Sequence, residues 1–158
     1  MSSEPIVVGT DGSQTAQRAV EEAAELARSL GAKVHIVNSY KPSSGSTGWA
    51  VAAGGVAVPG LAGTEDERIR TERERDRVKA EQIVGRARDD LVRSGVDANS
   101  HVCTGDPADA LITIADAERA QMIVVGNRGM TGARRALGSV PNRVSHHAHC
   151  GVLIVPTS

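Results

Sequence analysis

Two hydrophobic periods alternate along this chain. Short, nearly continuous apolar runs appear at Pro5–Gly9 (PIVVG), Lys33–Ser39 (KVHIVNS), Met122–Gly126 (MIVVG) and Gly151–Pro156 (GVLIVP). Such runs bounded by turn residues predict strands covered on both faces. Between them, apolar residues recur at helical spacing. Ala16, Ala19, Val20, Ala23, Leu26, Ala27 and Leu30 share one face of a helix predicted over Gln14–Leu30, which Gly31 stops. A long, charge-rich segment, Glu65–Ser94, reads as a second helix. Its stripe is Ile69, Ala80, Ile83, Val84, Ala87, Leu91 and Val92, and Gly95 ends it. Val96–Thr104 alternates apolar and polar residues, as an outer strand with one exposed face does. Asp106-Pro107 opens a third helix as N-cap and first-turn proline, with Leu111, Ile114 and Ala115 facing the core. Ser139–His149 is a short fourth helix.

Strand and helix therefore alternate through the chain. That order predicts one α/β domain over residues 1–158, a doubly wound five-stranded parallel sheet with helices on both faces, flavodoxin- or Rossmann-like. The stretch from about residue 41 to 64 breaks the rhythm. Gly, Ser, Pro and small apolar residues dominate it and no period is visible, which predicts a flexible insertion, loop or lid. In such sheets ligands bind beyond the carboxyl ends of the strands, where the strand order reverses. If the first and fourth strands pair, Gly9-Thr10-Asp11 and Gly126 meet there.

Composition narrows the partners. Aromatic residues are 1% of the chain, so stacking platforms for single-stranded nucleic acid are missing. A formal net charge of -1 gives no global field towards nucleic acid or an anionic membrane. The weakly apolar stretch Trp49–Gly63 is too short and broken to span a bilayer, and the N-terminal MSSEPIVVG is unlike a signal peptide. The expectation is a cytoplasmic protein in which Cys103 and Cys150 stay reduced unless the fold brings them together.

The chemistry concentrates in Met122–Asn142, MIVVGNRGMTGARRALGSVPN. A strand tip, a glycine-bearing loop and a polar helix start make a cradle for an anion, because glycine permits close approach and positive φ, and helix-start N–H groups point outward. Ser139 is the expected N-cap, and Arg128, Arg134 and Arg135 place guanidinium forks nearby. Pro141 removes one donor from the first turn. Asp11 reads as a turn residue capping the first helix, compatible with ligand contact. No Gly-x4-Gly-Lys phosphate loop, nucleophile elbow or dinucleotide fingerprint is present, and the second strand runs to Asn38 without the ribose-binding acid. His146, His147 and His149 cluster beside Cys150, but no further ligand completes a metal set, and polar residues suit a helix end.

With these motifs assembled, the chain resembles the universal stress protein family, in its ATP-binding-motif subgroup. The resemblance rests on VVGTDGS at Val7–Ser13, TGDPADALITIA at Thr104–Ala115 and VVGNRG…GSVPNRV…VLIV from Val124 to Val155. The family's pattern Gly-x2-Gly-x9-Gly-[Ser/Thr] is matched by Gly126, Gly129, Gly138 and Ser139, with eight residues instead of nine between the second and third glycines. The resemblance implies an adenine nucleotide hydrolase-like fold and an adenine nucleotide ligand, ATP with Mg²⁺ or alternatively cyclic AMP. It places Gly9, Thr10 and Asp11 at the nucleoside end and Val37 against adenine. Gly126, Arg128 and Gly129 would flank ribose and the inner phosphate, while Gly138, Ser139, Val140 and Asn142 would receive the outer phosphates. It also implies a stress-response sensor or regulator working through nucleotide-dependent conformation, without catalysis beyond slow ATP hydrolysis, and a homodimer formed through the edge strand at 151–156.

Overall fold

The elements follow from where the apolar residues can be buried. In the computed structural model, residues 3–42, 62–127 and 138–156 are described, the side chains of 62–65 excepted. The 41–64 insertion lies almost wholly outside them, as does the stretch 128–137. Five parallel strands, β1 (Ser3–Gly9), β2 (Ala32–Tyr40), β3 (Ala98–Thr104), β4 (Met122–Gly126) and β5 (Gly151–Val155), form one sheet in the order β3-β2-β1-β4-β5. This is the doubly wound arrangement expected. The first and fourth strands pair, Val7 opposite Ile123 and Val8 opposite Val124, so the order reverses at β1.

Alternation along the strands splits the core in two. Ile6, Val8, Val34, Ile36 and Val124 point to one face, under α1 (Gln14–Leu30) and α2 (Ala62–Arg93). Val7, Val37, Ile123 and Val125 point to the other, under α3 (Pro107–Glu118) and α4 (Ser139–His147). Both faces are dry, which is why the strand sequences read as continuous apolar runs. Without phenylalanine, both clusters are built from Val, Ile, Leu and Ala.

The limits of helix α1 match the sequence reading, and Gly31 caps it in the left-handed region at φ 63°. Its stripe differs at two places: Leu30, in the last turn, is exposed, and Ala24 is buried. Two further expectations change. Val92 is exposed at 53%, because Val84, Ala87 and Leu91 already fill the buried stripe of α2 and Val92 lies a further ~100° around the helix. Helix α4 stops at His147, and His149 leaves it to pair with Asp116 of α3 at 3.1 Å, so His146 and His149 do not share a helical turn. Cys103 on β3 and Cys150, next to β5, belong to opposite edges of the sheet, roughly 19 Å apart at the usual strand spacing, and both are free thiols. Burial raises the pKa of each.

Candidate functional site

At the reversal point, the carboxyl ends of β1, β2 and β4 open into a cavity of about 270 Å³. Its floor is Gly9 and Val125–Gly126, one side is the Thr10-Asp11 turn leading into α1, and the other is the start of α4. The wall between them comes from Val37 and Ser39 of β2 and from Pro107 and Leu111 of α3. Apolar surface (Val37, Leu111, Val125) and hydroxyl or carboxylate groups (Thr10, Asp11, Ser13, Ser139) thus line one cleft.

The turn after β1 is tightly held. Thr10 N–H donates to Val37 O at 2.9 Å, and the buried Asn38 amide donates to Thr10 O at 2.7 Å. Asn38 therefore fixes the turn from the neighbouring strand, a use of that position that the sequence did not announce. Asp11 Oδ1 accepts from Ser13 N–H at 3.0 Å and from Ser13 Oγ at 2.6 Å, and Ser13 Oγ in turn accepts from Ala16 N–H at 3.2 Å. The Asx turn expected of Asp11 forms, but the cap of α1 is Ser13, which Asp11 holds in place. A Cβ added to Gly9 would stand 3.2 Å from Leu111 Cδ1, so a side chain there would press on Leu111 of α3.

The starts of α3 and α4 differ. Asp106 caps α3, accepting from Ala108 N–H at 2.9 Å and Asp109 N–H at 3.3 Å. At α4 the N-cap is Gly138, with no side-chain cap. Ser139 is thus the first helical residue and not the N-cap expected, so its hydroxyl is not engaged in capping. Pro141 is the third helical residue and has no N–H, and Asn142 N–H bonds Gly138 O at 3.0 Å. The amides of Ser139 and Val140 are the two first-turn donors left for a ligand, at the positive end of the helix. Arg143 locks α4 to α3 through Asp106 Oδ2 at 2.9 Å and Asp109 Oδ1 at 2.8 Å.

The site residues expected from sequence fall into three groups. Gly9, Thr10, Asp11, Val37, Gly126, Gly138, Ser139 and Val140 converge on the cavity. Asn142 does not line it: the residue is exposed and its amide is used within the helix. Arg128 and Gly129 lie outside the described residues. The expected positive φ is not what the placed glycines supply, since Gly138 sits at φ -56° and Gly126 is not left-handed. They contribute the absence of a side chain. Leu111, Pro107, Ser39 and Val125 are lining residues that motif reading missed. Val125 and Ser39 could have been found from their places at strand ends, whereas Leu111 depends on the crossing of α3 over β1.

The sequence profile described as the Universal stress protein family matches residues 3–156. The chain belongs to the universal stress protein family. A universal stress protein of Mycobacterium tuberculosis is 34% identical, the alignment covering 97% of this chain and 96% of the relative. Among solved structures, a universal stress protein in complex with cAMP is 31% identical, covers 98% of both chains and superposes with a TM-score of 0.66. The universal stress protein of Archaeoglobus fulgidus in complex with dAMP is 27% identical over 98% of both chains, with a TM-score of 0.65. In this chain the sheet brings the capped turn after β1 and the uncapped start of α4 to one cleft.

Proposed function

We propose that this protein binds an adenine nucleotide in the cleft between β1 and β4, with ATP as the ligand, and acts as a sensor whose conformation follows occupancy. The uncapped start of α4 carries the reading: two amide donors, the Ser139 hydroxyl and a helix N-terminus converge where a phosphate would lie. Opposite them, Val37, Leu111 and Val125 offer an apolar seat for a base. The complexes of two relatives with cAMP and dAMP support the ligand class. Asp11 is the carboxylate lining the cleft among the described residues, and Mg²⁺ carried by a triphosphate would meet the protein there.

One observation favours a second reading. Pro141 leaves two backbone donors where another residue would leave three, and a ligand with a single phosphate, cyclic AMP, needs fewer. Competitive calorimetry with ATP and cyclic AMP separates the two, and absence of binding by either below millimolar concentration overturns both. We also propose a homodimer through β5, whose Val152, Leu153 and Ile154 are only partly buried on an open sheet edge. Light scattering gives its mass directly.

A further inference from the structure

Away from the nucleotide cleft, at the far end of α3, the strand register brings together two histidines and a carboxylate. Val37 pairs with His101, which places His101 diagonally across from His35 on the same face of β2 and β3. His35 Nδ1 lies 2.8 Å from His101 Nε2, and His35 Nε2 lies 3.8 Å from Glu118 Oε2. Ligand atoms from all three residues fall within 4.8 Å of one another. We propose that His35, His101 and Glu118 form a transition-metal site, suited to Zn²⁺, between the C-terminal end of α3 and the β3 edge of the sheet.

The chemistry and placement carry this reading. Two imidazoles and one carboxylate are a zinc-type donor set with a fourth position for water. Tetrahedral zinc holds its ligand atoms roughly 3.3–3.5 Å apart, and one ligand atom from each of the three residues already lies within 4.8 Å of the others. The 2.8 and 3.8 Å contacts leave opposite nitrogens of His35, so an ion takes only one of them. Glu118 is too far from His35 to hydrogen-bond, so the carboxylate converges on the pair without completing it. It also stands in the last turn of α3, which has no basic residue, where the helix dipole opposes a negative charge. A bound cation would offset both. The nearby Lys33 is already paired with Asp97 at 3.2 Å.

Without metal, the two rings share a hydrogen bond. Their centroids are 5.1 Å apart, as expected when the bond runs along the line joining the rings. Chelation requires His101 to turn so that both rings converge on one ion. His35, 3% exposed, is fixed, while the half-buried His101 and the exposed Glu118 have room to move.

The test uses the full chain, stripped with chelator and titrated with ZnCl2 alone by calorimetry. The expected result is one Zn²⁺ per chain, with affinity at least about tenfold weaker in Glu118→Gln and lost in His101→Ala. A His146→Ala/His149→Ala variant should bind as the wild type does. With Co²⁺, a visible d–d band of tetrahedral type should appear in the wild type and not in His101→Ala. Should His101→Ala fail to fold, Glu118→Gln at the exposed helix end carries the same comparison. Failure of the wild type to take up zinc, equal uptake by wild type and Glu118→Gln, or loss of uptake only in the His146/His149 variant overturns the site and leaves a hydrogen-bonded histidine pair. Nucleotide binding is measured separately and bears on neither outcome.

Discussion

Helices α3 and α4 both begin beside the same cleft, yet they treat their first turns in opposite ways. Asp106 closes the start of α3 with two side-chain hydrogen bonds and is held in place by Arg143. The start of α4 has Gly138 where a capping side chain would be. Helix α1, also at the cleft, is capped by Ser13. A helix N-terminus whose donors are satisfied internally has a structural role, whereas one left uncapped at a cavity keeps its donors and its dipole for an external anion. The difference lies in a single position, Gly138 against Asp106, and can be exchanged by substitution.

The largest expected effect comes from making α4 start as α3 does. Gly138→Asp would supply an internal carboxylate to Val140 N–H and set a negative charge where a phosphate would sit. Nucleotide affinity should fall by about a hundredfold or more, ~2.7 kcal/mol. Stability should change by no more than a few tenths of a kcal/mol, since glycine is itself a tolerable N-cap. Calorimetry and a thermal melt measure the two. Unchanged affinity would show that the phosphate does not lie on α4.

The reciprocal change acts on stability. Asp106→Ala removes both caps of α3 and one partner of Arg143. A cost of about 1–2 kcal/mol follows from the lost cap, which lowers the melting temperature by about 2–8 °C in a chain of this size. Nucleotide affinity of the folded protein should move much less than in Gly138→Asp. If the binding loss were the larger, Asp106 would belong to the ligand and the contrast between the helices would collapse.

How much of this contrast was legible beforehand differs by element. Asp106-Pro107 is a local signal, complete within adjacent residues, and the cap of α3 formed as read. The limits of α1 and β4 were equally local. At α4 the sequence offered a serine after a glycine, and Ser139 was the natural N-cap by propensity. The backbone put the cap one residue earlier, because Gly138 is still extended at ψ 158° and Ser139 is already helical. No local rule sees that one-residue difference. Asn142 was misplaced by the same step: one position further along the helix, its amide closes on Gly138 O. Leu111 and Asn38 were invisible for another reason. Each reaches the site from a different element, and only the packed sheet shows that Leu111 covers Gly9 or that Asn38 holds Thr10 O. The paired histidines were hidden likewise, since 66 residues separate His35 from His101 and only the β2–β3 register joins them.

A smaller effect is expected at Ser139. With its hydroxyl outside the cap, Ser139→Ala removes one donor to the ligand and nothing from the helix. Affinity should weaken by about 1 kcal/mol, roughly fivefold, with the melting temperature of the nucleotide-free protein unchanged. A fall in stability without a fall in affinity would return the hydroxyl to a capping role.

The finest distinction concerns Pro141, which decides how many donors α4 presents. Pro141→Ala restores an N–H at the third helical position without adding a polar side chain. The residue is buried, so some packing is lost, and the absolute affinities will shift for reasons unrelated to phosphate. The ratio of ATP to cyclic AMP affinity cancels that common shift. A third amide at the helix start serves a ligand with several phosphates more than one with a single phosphate, so the ratio should rise about threefold to fivefold, under 1 kcal/mol. An unchanged ratio would mean that the third amide does not face the phosphates. The choice between the two nucleotides would then be made by residues other than those at the start of α4.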